Sequence, residues 1–438
     1  MNTETEDVIT VHAAERRPQS GPATWGQYAI WKELVRRGEE EHLFNLDWVV
    51  DLPEGTTDDG LAATVRDLVR RQESLRTVFQ ETGEGDVVQT SLPSAAVPWH
   101  RMTSPPDSAD DAIRRAAAES RTVRFRHGSE PPLRVITCGP ENRPIRAALV
   151  VSHLATDFNG LRILAGEWSD LLAGKTLDDL PPATSPLRLA EWQASPEGLD
   201  RREKSASHWV ECFRSTPDMN PRPDLADRRD PVYWTGTLTS PAIASALTPL
   251  AEANGVSTTA VLLAAAATAL GDVTGSTHPM FMLMCHNRTR KPFRDCVSPV
   301  ALEGAFAVDL SGGGPPYSKA WKACLAAYRN AQYHKGELRR HLSESGAEPA
   351  GLKGRCWFND LRFELNPPPA EAATETASSF AWTAKAHNRG TEDLAFHVRD
   401  SPGSVEVALT ARTDYFGPDA IRDCLAVFES VAAGTTAH

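Results

Sequence analysis

The sequence predicts a mixed α/β protein built from two lobes. Three observations carry that expectation. The chain has 438 residues, more than one ordinary hydrophobic core serves. Segments with helical and strand-like patterns alternate through both halves. A stretch rich in Pro, Ser, Asp and Arg, residues 181–235, separates them. Hydrophobic residues make up 41% and charged residues 24%, a balance that suits a packed globular chain rather than a disordered one. The expected organisation is a loose tail over 1–20, an N-terminal lobe over 21–180, a crossover over 181–235 and a C-terminal lobe over 236–438.

The elements follow in order. "TWGQYAIWKELVRRG" (24–38) repeats large apolar residues every three positions, at Trp25, Tyr28, Trp31 and Leu34, which is helical spacing. A strand is expected in "LFNLDWVVDL" (43–52), stopped by Pro53. "DDGLAATVRDLVRRQESLRTVFQ" (58–80) reads as an amphipathic helix running into a strand. A helix over 110–125 comes next, then a hairpin pairing 132–139 with 146–154. The segment 161–174 is helical and stops at Gly174. One helix, "DRREKSASHWVECF", interrupts the crossover. The second half opens with two helices; the second contains "AVLLAAAATAL" (260–270) and is expected to be buried. Strands over 279–289 and 354–365 flank a helix over 317–334. A Pro/Ala/Glu-rich loop then runs to about Ser379. A hairpin over 392–416 turns at "DSPGS", and a final helix closes the chain.

Several classes of function are disfavoured. The longest apolar run is about half of the roughly 20 residues that a membrane helix needs, and the first residues lack the apolar core of a signal peptide. The seven cysteines are scattered with no CxxC pair. That argues against a disulfide framework and against a zinc site, and predicts a reducing cytoplasm. The net charge is −12 without a long basic block, so no nucleic-acid partner is expected. There is no Walker loop, no GxGxxG after a strand and no GxSxG elbow.

Chemistry concentrates in "ALVVSHLATDFNGLRIL" (148–164). A buried strand pattern stops at Ser152-His153, and Asp157 follows four positions later. A neutral imidazole at a strand end can take a proton from an amine or alcohol, because its pKa lies near working pH. A buried carboxylate needs a cation to neutralise it. By itself the pattern also fits a core histidine followed by an aspartate that caps the next helix.

The stretch resembles the HHxxxDG motif of nonribosomal peptide synthetase condensation domains, with Ser152, His153, Asp157 and Phe158 at the HH and DG positions. Other segments resemble the family in the same order: "TWGQYAIW" its opening SxAQxxxW, "VRRQESLRTVFQ" its RHExLRTxF, "CHNRTR" its NRxR, "CWFNDLRFE" its FxxxN strand and "LTARTDYFGPDAI" its closing segment. The resemblance implies two chloramphenicol-acetyltransferase-like lobes arranged as a V around a central tunnel. It implies that peptidyl or acyl carrier proteins present thioesters on phosphopantetheine, with no cofactor or metal bound directly. His153 would position or deprotonate a small-molecule acceptor. Asp157 would be structural, paired with an arginine of the second lobe: Arg288 by position, Arg290 as the fallback. Ser152 would replace the first motif histidine as a hydrogen-bonding residue. Phe158, Asn159, Gly160 and His286 would line the tunnel.

The chain departs from the pattern at Phe158, where the motif has glycine. A glycine there permits unusual backbone angles and a close approach of substrate; Gly160 is the residue expected to supply some of that freedom. "RDCVSPVALEG" (294–304) also differs from the family's turn. Three classes therefore stand: a free-standing condensation enzyme forming an amide or ester, a silent recruitment module like the X domains, and a coenzyme A-dependent acyltransferase of the same superfamily. An epimerase lacks the further residues it would need. His387, Asn388 and His397 read as loop or packing residues, Trp25 and Trp31 as core. The basic stretch 286–294 reads as a solvated face or a contact for an acidic carrier.

Overall fold

The structure, a computed structural model, describes residues 4–435 except 16, 84, 218, 221, 291–292, 313–314, 349–351, 363–376 and 389–391. The Pro/Ala/Glu-rich loop, the end of the strand predicted over 354–365, and Lys291 and Pro292 of the basic stretch thus lie largely or wholly outside the described residues. The chain forms two compact units: Met1–Asp200 with His286–Ala301, and Arg201–Cys285 with Leu302–His438.

The first unit contains β1 (Glu4–His12), β2 (Gln19–Pro22), α1 (Trp25–Arg37), β3 (Leu46–Asp51), α2 (Asp58–Arg71), β4 (Thr77–Glu81), β5 (Val87–Ser91), β6 (Ser94–Thr103), α3 (Pro106–Arg121), β7 (Leu133–Gly139), β8 (Arg146–Val151), α4 (Phe158–Leu172) and α5 (Pro186–Gln193). Its main sheet has the order β1-β6-β7-β8-β3, and a smaller one the order β2-β5-β4. α2 forms where the sequence predicts it. Thr57 caps it by accepting from the Gly60 N–H, Leu61, Val65, Leu68 and Val69 are buried, and Arg70 and Arg71 complement the negative end of the helix dipole. β8 lies between β7 and β3, and its last five residues are buried. Ala148 and Val150 pack with Ile113, Ala116 and Ala117 of α3. That burial on both faces explains the unbroken apolar run before Ser152.

Two expectations fail in this unit. Residues 4–12, expected in a loose tail, form a strand: β1 pairs antiparallel with β6 from Glu4 opposite Met102 to His12 opposite Ser94. Only Ile9 and Val11 of this edge strand are buried, so its alternation is too brief to read in the sequence. Residues 286–301, expected in the C-terminal lobe, belong to the first unit.

α6 (Pro196–Ser215) carries the chain across the unit boundary, and with α5 it makes the crossover more helical than expected. The second unit continues with β9 (Tyr233–Ser240), α7 (Pro241–Asn254), α8 (Thr258–Thr274), β10 (Met280–Cys285), β11 (Leu302–Ala307), α9 (Pro316–Arg329), α10 (Lys335–Glu344), β12 (Cys356–Asp360), β13 (Ser379–Ala386), β14 (Leu394–Ser401), β15 (Ser404–Arg412) and α11 (Pro418–Ala432). Its sheet has the order β11-β10-β12-β14-β15-β9-β13, with β10, β12 and β14 parallel. α8 is buried along most of its length, as an alanine-rich helix without a polar face requires. No single helix among the described residues is long and apolar enough to cross a membrane.

Candidate active site

The site grows from the corner between β8 and α4. The Ser152 N–H donates to the Pro132 carbonyl, and the Ala155 N–H returns to the Ser152 carbonyl. The Ser152 hydroxyl accepts from the Leu154 N–H at 3.3 Å. The serine thus ties the turn to itself, a local bond that short hydroxyl side chains make readily. Leu154 anchors the turn in a cluster with Leu34, Phe79 and Val87. His153, next to Leu154 in the turn, is left half-buried.

Asp157 caps α4, and both of its oxygens are used. Oδ1 accepts from the Gly160 N–H at 2.8 Å. Oδ2 accepts from Arg288 Nη1 at 2.8 Å and from the Val300 and Ala301 N–H groups at 2.9 and 3.0 Å. The side chains of Arg288 and Asp157 are 6% and 5% exposed, so the pair is desolvated. Burial raises the Asp157 pKa, but Arg288 and the three N–H donors outweigh it and hold the carboxyl below its ordinary value. Arg288 Nη2 donates to the carbonyls of Cys296 and Ser298 at 3.0 and 3.1 Å. One carboxylate and one guanidinium thus fasten the segment 296–301 to the start of α4. The pair joins distant parts of the sequence inside one unit, which corrects the expectation that it would join two lobes. Arg290, the fallback, instead pairs with Glu197 at 2.5 Å and lies over the Trp192 ring.

The glycine argument changes as well. Phe158 is the first residue of α4, and neither it nor Gly160 has a positive φ. No special backbone angle is needed at either position. Gly160 is required for space: a Cβ there would stand 2.2 Å from Thr156 Oγ1 and 3.3 Å from Arg288 Nη2. Gly26 is a second such contact, since a Cβ on it would meet the Pro299 carbonyl oxygen at 2.0 Å. The "TWGQ" glycine therefore lets α1 touch the loop that holds Arg288. Gly160→Ala is expected to cost about 1–3 kcal/mol through overpacking. Gly166→Ala, in the same helix with nothing within 4 Å of the new methyl, is expected to stabilise by about 0.5–1 kcal/mol. Thermal unfolding of the two variants checks the sign of each effect.

The remaining residues divide. Phe158 is 40% exposed, and its ring stands edge-on to His153 with centroids 6.5 Å apart. Phe44, which the sequence reading did not single out, lies 5.8 Å from His153 on a tilted plane. Asn159 is half-buried beside Phe158 in the first turn of α4. His286 is exposed, and its Nδ1 accepts from the Arg288 N–H at 3.1 Å. Partial burial and the Arg288 cation lower its pKa. His387 pairs with Asp230 at an exposed site. Burial pushes the thiol of Cys296, whose carbonyl accepts from Arg288, up to about 12, which disfavours its thiolate.

His153 itself has a lowered pKa. Desolvation is the main cause, opposed by the Asp157 charge and by the main chain of His153 and Thr156. Its Nδ1 is sealed from solvent and meets no partner at hydrogen-bond geometry. A hollow of about 470 Å³ over β9, β13, β14 and β15 is lined in part by His397 and threonines. Another of about 610 Å³ lies beside β1, β6 and α3. Neither is lined by the motif residues. Among the described residues no group of His, Cys, Asp and Glu could hold a metal ion.

A family model described as the condensation domain matches residues 34–300, a span that includes the β8 corner and Arg288. The chain belongs to the condensation-domain family. Cyclosporin synthetase of Tolypocladium inflatum is 22% identical over 383 residues, 85% of this chain but 2% of that protein. The chain spans only 2–3% of the length of the curated relatives that it matches first. Among solved structures, the condensation domain of the monacolin K polyketide synthase superposes with a TM-score of 0.69 at 16% identity, covering 95% of this chain and 97% of that one. The X-domain from teicoplanin biosynthesis superposes with a TM-score of 0.68 at 18% identity, covering 96% of each chain. At these identities the likeness is one of fold, and it places this mixed α/β chain among condensation domains.

Proposed function

We propose that this condensation domain transfers an acyl or aminoacyl group from a carrier-protein thioester to an amine or hydroxyl acceptor. The observation that carries the reading is the corner itself. A buried, fully bonded Asp157–Arg288 pair fixes the turn on which a half-buried imidazole, biased toward its neutral form, stands. Neutral His153 takes the proton of the acceptor N–H or O–H as its lone pair attacks the thioester carbonyl. The tetrahedral intermediate collapses, the carbon–sulfur bond breaks, and the imidazolium returns the proton to the departing thiolate. Neither redox chemistry nor a metal enters this balance. The thioester would arrive on the phosphopantetheine of a peptidyl or acyl carrier protein; coenzyme A could present the same acyl group on the same arm.

Phe158 favours a second reading. An exposed aromatic ring beside the histidine would also suit a module that recruits a protein and transfers nothing, and an X-domain with this fold has been solved in complex with OxyB. Phe158→Gly separates the two. If Phe158 only narrows the acceptor side, the wild type converts small amines or alcohols, and the glycine variant accepts bulkier ones at comparable rates. If the ring blocks the site, the wild type is inert and only the glycine variant transfers. The measurement is product formation from acyl-carrier and acyl-coenzyme A donors with a panel of acceptors. No conversion by either protein, together with tight binding of a partner protein, would overturn the catalytic reading.

A further inference from the structure

A general base must be held in one orientation, and the usual device is a carboxylate hydrogen-bonded to the second ring nitrogen. Here that device is missing. Asp157 is committed to Arg288 and to three main-chain N–H groups. His153 Nδ1 is sealed; the main chain of His153 itself and of Thr156 reaches the ring, but short of proper hydrogen-bond geometry. With no carboxylate to hold it, the ring depends on packing for its orientation, and its aromatic contacts among the described residues are Phe44 and Phe158. Phe158 is 40% exposed and is the less constrained of the two. Phe44 is braced from behind. It packs against the cluster of Leu34, Phe79, Val87 and Leu154. The Arg37 guanidinium lies 4.8 Å from its ring centre, and Arg37 is tied to Glu33 at 3.0 Å.

We propose that Phe44 is a positioning residue for His153: braced by Arg37, it clamps the imidazole with Nδ1 turned inward and Nε2 left to meet the reactants. The mechanism rests on the acyl-transfer reading; the clamp itself does not. Two hydrocarbon rings also keep water from the imidazole and disfavour its charged form. Among the described residues the charge that bears on it is Asp157, the cap of α4, which is paired with Arg288; Arg37 on α1 lies over the Phe44 ring.

The test is ¹⁵N–¹H spectroscopy of the histidine ring nitrogens in the full chain, with His153 assigned by the signal lost in His153→Gln. The wild type is expected to show one neutral tautomer, its two ring nitrogens well separated in shift. Phe44→Ala is expected to average the two shifts and to raise the titration midpoint, because water then reaches the ring. Where turnover is measurable, kcat should fall about tenfold with KM little changed. Phe44→Leu keeps the bulk but loses the flat face, so it should move the shifts less in the same direction. Wild-type shifts and midpoint in a folded Phe44→Ala protein overturn the proposal; if that variant does not fold, wild-type shifts in Phe44→Leu do so. The spectra need no substrate. A clamp seen in a protein that transfers nothing would sink the acyl-transfer reading and leave the positioning role standing.

Discussion

His153→Ala is expected to lower turnover by about 10²–10⁴-fold, the range that a positioned general base contributes. Its fold should survive. The turn is held by Ser152, by the buried Leu154 and by the Asp157 cap, none of which needs the imidazole. Near-native unfolding temperature with lost product formation is the expected pair of results. Equal rates for His153→Ala and wild type, on a substrate that the wild type converts, would remove His153 from the mechanism. The pH profile provides a second reading. Because desolvation lowers the His153 pKa, the base should stay neutral somewhat below the ordinary imidazole range, and the acid limb of kcat/KM should fall there.

Asp157→Ala is expected to cost about 3–5 kcal/mol of stability, because the Arg288 cation stays buried without its partner. For a unit of this size that is a drop of roughly 6–20 °C in unfolding temperature. Three main-chain N–H groups, of Gly160, Val300 and Ala301, lose their acceptor at the same time. Replacing Asp157 and Arg288 together by apolar residues should cost less than Asp157→Ala alone, since no charge is then stranded. The pH dependence has a definite sign. The folded carboxyl titrates below its unfolded value, so its contribution is complete above the unfolded carboxylate pKa of about 4 and is lost as pH falls through the lower folded value. Stability of Asp157→Ala that matches wild type at neutral pH would mean that the pair does not hold the corner.

Much of this was legible in the sequence wherever one side chain reports its own environment. α2 announces itself by a Thr cap, a 3.6-residue apolar period and two closing arginines. The apolar run of β8 reports burial on both faces, and the resemblance to condensation domains singled out His153, Asp157 and Arg288 together. β1 was not legible, because an edge strand with two buried side chains carries almost no period. Phe44 was not legible either: it ends a short 3₁₀ segment, Gly38–Phe44, and nothing in its local pattern points to a histidine more than one hundred residues away.

The sequence by itself determined the mixed α/β class and the family, and through the resemblance it pointed to His153 and to the Asp157–Arg288 pair, because patterning and motifs are local properties of the chain. Only the tertiary structure decided that residues 286–301 leave their neighbours and join the first unit. It also decided that their carbonyls and N–H groups complete the coordination of Arg288 and Asp157. It moved the demand for a glycine from Phe158 to Gly160 and Gly26, where the limit is space rather than backbone angle. The physical reason is the same in each case: desolvated main-chain groups must find partners, and close-packed atoms exclude one another, wherever in the chain those partners and atoms come from.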